Sequence, residues 1–89
     1  MEYIAFMHQE GSDWVALVPD LNYTSSYDES FTDTVHNIIE ASELYCEDLN
    51  VLPKARGLEV LMKDEEIEDG AIPQLIDVKV QKCSYQCDD

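Results

Sequence analysis

The sequence predicts a small α+β domain in which one main helix packs on one face of a four-stranded sheet, in the order β-β-β-α-(α)-β. Short runs rich in β-branched and aromatic residues, separated by turn residues, precede residue 28. One capped amphipathic pattern follows them, and a further alternating run comes after Pro73. A chain of 89 residues makes one domain with a shallow core, because it hides only about 60–65% of its unfolded surface.

The first two strands form a predicted hairpin. Residues 3–7 are apolar at nearly every position, as in a strand with neighbours on both sides. A turn containing Gly11 then leads to a second strand over residues 14–18. Pro19 ends that strand, since proline has no N–H to donate to a neighbouring strand.

The third strand is predicted at residues 23–27, where polar residues alternate in a pattern typical of a half-solvated edge strand. Hairpin connections should pair the first three strands antiparallel. The side chains that share one face of this edge are Tyr23, Ser25 and Tyr27.

The main helix is predicted to begin at Ser30, whose hydroxyl can accept hydrogen bonds from amides of the first turn, with Asp33 completing a pattern like a capping box. Asn50 and Pro53 should close it. The apolar stripe comprises Phe31, Val35, Ile38, Ile39, Ser42, Tyr45, Cys46 and Leu49. Three acids, Glu40, Glu43 and Glu47, are spaced to lie on the opposite side.

The rest of the chain predicts a short helix and a last strand. Leu58, Leu61 and Met62 suit a short helix, and an acidic turn at residues 64–69 follows. The last strand, alternating up to Val80, returns after a helical crossover, which favours a parallel arrangement with an earlier strand. We expect a single domain over residues 1–82 and a flexible tail over residues 83–89, which lack periodicity.

The net charge of −15 narrows the function. A hydrophobic fraction of 45% argues against disorder, whereas the negative field repels phosphate backbones and disfavours direct binding to nucleic acid. The same field favours encounter with a basic protein partner. The simpler alternative is that the charge only maintains solubility.

The N-terminus has no basic region and no long apolar run, so neither a signal peptide nor a transmembrane helix is expected. We therefore expect a cytoplasmic protein without membrane contact. In that compartment the thiols of Cys46, Cys83 and Cys87 would be reduced.

No catalytic residue, metal site or cofactor is predicted. His36 has no Ser, Cys or acid at the spacing of a catalytic triad, and His8, beside a turn, is expected to be a surface residue and not a catalytic base. The Cys83-x-x-x-Cys87 spacing could place two sulfurs on one helical face, but zinc needs two further ligands. Residues 64–70 are acidic, yet their spacing is not that of a calcium-binding EF-hand loop.

A family resemblance rests on several short elements. Val18-Pro19-Asp20-Leu21 at the end of a strand, followed by a capped helix, resembles the HicB-like antitoxin domain, a degraded ribonuclease-H-like fold. Residues 3–80 are covered, and Asn22-Tyr23, Tyr27 and Thr34 depart from the Pro-Gly, Gly and Ala typical of the family. The further matching positions are Asp28, Ser30, Phe31, Asp33, Asn37, Ala41, Leu52-Pro53 and residues 75–80.

The resemblance implies a protein that neutralises HicA, a small basic toxin with a double-stranded-RNA-binding-like fold that cleaves messenger RNA. The antitoxin covers the catalytic histidine and the RNA surface of that toxin. Many family members carry a C-terminal DNA-binding module; residues up to Asp89 show no basic helical segment, so repression of transcription by this chain alone is not expected. Nuclease activity is not expected either, because residues 3–7 supply no carboxylate for metal ions.

The binding candidates are the acids of the main helix and of the segment after it, together with the edge strand. Tyr23, Ser25 and Tyr27 could receive a strand from a partner or form a homodimer. Two alternatives remain open: a phage-encoded inhibitor of the anti-CRISPR type whose carboxylates imitate nucleic acid, and a scaffold that only dimerises. The candidate acids are Glu40, Glu43, Glu47, Glu59, Asp64, Glu65, Glu66, Glu68 and Asp69.

Overall fold

The computed structural model describes residues 1–80 and confirms the predicted α+β class and order of elements. The predicted tail, with Cys83 and Cys87, lies outside these residues, as do the last two residues of the predicted domain. The elements are β1 (Glu2–Glu10), β2 (Asp13–Val18), a 3-10 turn (Pro19–Leu21), β3 (Thr24–Asp28), α1 (Phe31–Glu47), the one-turn α2 (Leu58–Leu61) and β4 (Ile72–Asp77).

The four strands form one sheet in the order β3-β2-β1-β4. The first three strands pair antiparallel, as predicted. The prediction of a parallel last strand is wrong, because β4 runs antiparallel to β1, with Ile72 opposite Met7 and Asp77 opposite Glu2. After α1, residues 48–71 bring the chain back to the end of the sheet where β1 finishes, so β4 starts there and runs against β1.

The core lies between the sheet and α1. Phe6 points to the opposite face by strand alternation and is also buried, which explains why residues 3–7 carry no charged side chain; the Tyr3 hydroxyl donates to the Pro53 carbonyl at 2.6 Å. Leu61 of α2 is a further fully buried side chain. The main cluster of buried side chains comprises Tyr3, Ala5, Met7, Ala16, Val18, Leu21, Ile38, Cys46, Ile76 and Val78.

Helix α1 begins as predicted, since the Ser30 hydroxyl oxygen accepts a hydrogen bond from the Asp33 backbone N–H at 3.0 Å. The helix ends at Glu47, before the predicted stop. Thr34, fully buried in the first turn, donates its hydroxyl to the Ser30 carbonyl at 2.7 Å, and the Trp14 carbonyl lies 3.4 Å away. A threonine at this position therefore joins the start of α1 to β2.

Aromatic and polar contacts fix α1 across β2 and β3. The rings of Trp14 and Phe31 meet edge to face, with their centroids 5.0 Å apart. On β3, the Asn37 side-chain amide donates to the Asp28 carboxylate at 3.1 Å. No helix formed by residues 1–80 combines the length and the apolar character needed to cross a membrane.

Candidate binding surface

The turn after β2 holds the long segment between α1 and β4. The Asp20 carboxylate accepts hydrogen bonds from the Arg56 backbone nitrogen at 2.7 Å and from its Nε at 2.5 Å. The Asp20 side chain is only 4% exposed, so the pair has one buried member and is better shielded from water than a surface ion pair. The bond to Asp20 raises the pKa of the Arg56 guanidinium above its ordinary value.

A second contact holds the acidic part of this segment. The Tyr23 hydroxyl donates to one carboxylate oxygen of Asp64 at 2.7 Å, and the Glu66 backbone N–H donates to the other at 2.9 Å. These two bonds, the backbone one first, lower the pKa of Asp64. The bond to Asp64 raises the pKa of the Tyr23 hydroxyl.

The Asn22-Tyr23 pair accounts for one departure from the family pattern. Both residues are left-handed, with φ of 56° and 59°, a conformation that glycine and asparagine adopt more readily than tyrosine. Tyr23 thus lies in the turn and β3 begins one residue later than predicted, at Thr24. The hydrogen bond to Asp64 gives the strained tyrosine a defined position.

The structure distributes the predicted acids over several separate grooves. Asp64, Glu65 and Glu66 line an open groove of about 610 Å³ with Tyr23 and Arg56. Exposed apolar side chains of Leu58, Val60 and Met62 lie in the preceding residues. This part of the chain therefore presents carboxylates beside apolar surface, a composition suited to protein contacts.

The other predicted acids lie elsewhere. Glu68 and Asp69 line a groove at the β1–β2 hairpin beside His8 and Trp14. Glu40 and Glu43 line a shallow groove on α1. Glu47 and Glu59 are exposed and line neither of these grooves. The candidate acids thus do not line one common groove.

Glu43 has a structural contact that its helical spacing did not indicate. It is half-buried, and its Oε2 atom accepts a hydrogen bond from the Lys79 backbone N–H at 3.0 Å. The bond holds the chain that follows β4 against α1. Glu40 and Glu47, by contrast, are exposed on the same helix.

The edge position of β3 is confirmed by the strand order. Ser25 and Tyr27 are exposed on the sheet face away from α1, and Tyr27 is 71% exposed. An open groove of about 410 Å³ runs along this edge beside α1. Its lining residues are Ser25, Ser26, Tyr27, Asn37, Glu40, Ala41 and Leu44.

The histidines do not form a catalytic group in the described part of the chain. His36 is exposed on α1. The Nε2 atom of His8 makes no hydrogen bond there and lies 3.7 Å from a carboxylate oxygen of Glu10. Over residues 1–80, no three His, Cys, Asp or Glu side chains are grouped as metal ligands. What the surface offers chemically is hydrogen bonding, charge and apolar contact.

Solved structures share this fold. The crystal structure of the N-terminal domain of the Burkholderia pseudomallei antitoxin HicB matches 90% of this chain and 100% of its own length, with 27% identity and a TM-score of 0.75. The chain is HicB-like. A longer HicB structure from the same organism matches with 27% identity and a TM-score of 0.76. No family model and no curated protein sequence matches the chain.

These structural matches confirm the resemblance to HicB that the Pro19-Asp20-Leu21 turn and the Ser30 cap predicted. The HicB-like chain covers 64% of the longer HicB chain. The contacts of Asp20 and Tyr23 with the segment after α1 join residues 36 and 41 positions apart, and no local sequence pattern indicates their partners. The one sequence feature that indicated such a contact was Asp20, an acidic residue in the turn that ends β2, which calls for a hydrogen-bond donor from elsewhere in the chain.

Proposed function

We propose that this HicB-like domain is an antitoxin that binds and occludes a small, basic, RNA-cleaving toxin of the HicA type. The similarity to the HicB N-terminal domain over 90% of the chain is the observation that carries the proposal. The net charge of −15 supports it, because a toxin that binds RNA must present cationic groups. Its partner is thus a protein rather than a nucleic acid, and its place of action is the cytoplasm.

Occlusion follows from the chemistry of the exposed carboxylates. Carboxylates can replace RNA phosphates opposite lysine and arginine, with bidentate hydrogen bonds to arginine. The long-range field of 20 acids against five Lys and Arg speeds the encounter at low salt. The domain needs no catalysis and no cofactor for this role, because covering the toxin is sufficient to stop RNA from reaching it.

The proposal is tested with the product of the neighbouring gene. Binding is measured by calorimetry at low and high salt, and RNA cleavage by that product is followed with and without the domain. We expect a small basic protein whose cleavage stops at stoichiometric addition of the domain and whose affinity falls by about tenfold or more as salt screens the charges. The control variant Val51→Ala, at an exposed apolar residue, should bind as the wild type does.

Three results contradict the proposal. The neighbouring product is not small and basic, or it binds equally tightly at both salt concentrations, or the purified domain cleaves RNA by itself.

A further inference from the structure

The two edges of the sheet differ in how open they are. Natural sheets protect exposed edges with proline, lysine, bulges or covering segments. The edge strand β4 contains Pro73, which has no N–H to offer to another strand. The other edge strand, β3, has the sequence Thr-Ser-Ser-Tyr-Asp, with neither proline nor lysine. The backbone of β3 is therefore the open edge.

We propose that an extended basic segment of the partner protein pairs with the free edge of β3 as a fifth strand and fills the groove between β3 and α1. This inference rests on the proposed function and names the surface used. Strand addition supplies main-chain hydrogen bonds for affinity and pockets for alternate side chains for specificity.

The side chains around the edge suit a strand. Ser25, Ser26 and Ala41 are small residues of the groove lining, so another backbone can approach closely. Tyr27 and Leu44, on either side of these residues, are 71% and 59% exposed. An incoming strand would bury both of these apolar groups against its own alternating side chains.

The edge is held in a fixed shape before any partner arrives. The Asn37 carbonyl accepts a hydrogen bond from the Ser26 hydroxyl at 3.4 Å, and its side-chain amide donates to Asp28 at 3.1 Å. Five residues of β3 pair in register with β2. A rigid edge loses little conformational freedom on binding, which favours affinity.

Charge selects the occupant. Glu40 is the charged residue of the groove lining, and Glu29 directly follows β3. The described cations Lys54, Arg56, Lys63 and Lys79 do not line this groove. A second copy of this chain also has a net charge of −15 and would be repelled by the same acids. A basic segment is the occupant that the field attracts.

The test compares variants at the two edges, with the neighbouring gene product as probe. Tyr27→Ala and Leu44→Ala remove the apolar contacts, whereas Leu75→Ala removes a comparably exposed side chain (56%) from β4. We expect Tyr27→Ala and Leu44→Ala each to weaken binding by about tenfold, and Leu75→Ala to change it by less than about twofold. Hydrogen exchange of the wild-type complex should show added protection, relative to the free domain, of those amides of Thr24–Asp28 that do not pair with β2.

A pair of charge variants and the exchange pattern together separate strand pairing from charge alone. Ser25→Lys should weaken binding and Ser25→Glu should not, because the Ser25 side chain projects from the sheet face and leaves the backbone edge free. Simple electrostatic attraction predicts the same two effects but no new main-chain hydrogen bonds. A complex that follows this charge pattern without added protection of the β3 amides therefore overturns the inference.

Other results of the same experiments also test the β3 site and its occupant. Binding of the neighbouring product with protection confined to residues 58–71 and normal affinity of Tyr27→Ala overturns the β3 site and leaves the antitoxin function intact. Protection of β3 in the free protein that rises with its concentration identifies a second copy as the occupant. No binding at all removes the proposed function and this inference with it.

Discussion

The Asp20 carboxylate binds Arg56 twice, through the backbone nitrogen and through Nε, across 36 residues of sequence. One member of a turn that ends a strand thus fixes the start of the segment that leads into α2. Without this bond, residues 57–64 would be held mainly by the burial of Leu61 and by the Tyr23–Asp64 contact.

Asp20→Asn should loosen that segment without unfolding the sheet. The amide side chain keeps the shape but removes the charge and one acceptor, so the pair with Arg56 weakens. Hydrogen exchange should become faster over residues 57–64 and stay unchanged in β1. Asp69→Asn, at an exposed acid, is the control. Faster exchange throughout the chain would instead identify a global loss of stability.

Tyr23→Phe should lower the urea midpoint only in a defined pH window. The pKa of Asp64 is lowered in the folded protein. The ionised Asp64 carboxylate therefore stabilises the fold fully above its ordinary pKa of about 4, and this stabilisation is lost as pH falls through the lowered pKa. The pKa of Tyr23 is raised in the folded protein. The protonated Tyr23 hydroxyl therefore stabilises the fold fully below about pH 10, and this stabilisation is lost as pH rises through the raised pKa.

The midpoint difference between wild type and Tyr23→Phe is therefore expected to be largest between those limits and to shrink at both extremes. Urea titrations across the pH range measure it. Tyr27→Phe, at an exposed residue of the edge strand, should show no difference at any pH. A constant difference for Tyr23→Phe would mean that packing, not the hydrogen bond, is responsible.

Phe31→Leu should reduce the free energy of unfolding by about 1 kcal/mol, because it removes the edge-to-face contact with Trp14 while keeping an apolar side chain. Trp14 is the sole tryptophan, so its fluorescence reports both the unfolding and the local change. Leu44→Ala, at an exposed position, should shift stability by no more than about 0.5 kcal/mol. Equal losses from the two variants would argue against a specific ring contact.

Ser30→Ala should destabilise the protein by about 1 kcal/mol, since it removes the acceptor for the Asp33 N–H at the start of α1. Ser30→Asp should retain most of the stability, because a carboxylate accepts the same bond and suits the helix dipole. Thermal or chemical unfolding measures both variants. Thr32→Ala, exposed in the same turn, should be close to neutral; a comparable loss there would show that the cap is not the cause.

Local chemistry predicted the elements well. Ser30 was identified as a cap because its partner lies only three residues away, and Pro19 ended β2 because a missing N–H acts at its own position. The edge position of β3 followed from its polar alternation. These features depend on near neighbours in sequence.

Features that depend on the path of the chain were not predictable in the same way. The direction of β4 was missed because nothing local indicates that residues 48–71 return along the sheet. The acids were grouped by sequence position, yet Asp64 and Asp69 line different grooves. Their relative placement is set by long-range contacts such as Asp20 with Arg56.

The unequal edges of the sheet also limit how the molecule can assemble. A filament built by strand pairing needs two open sheet edges on every subunit, and in this protein Pro73 interrupts the β4 edge. Association through strands therefore stops after one addition. Self-pairing and pairing with a strand of another protein would both use the same five residues of β3, so a molecule paired with a second copy would have no open strand edge left for a partner.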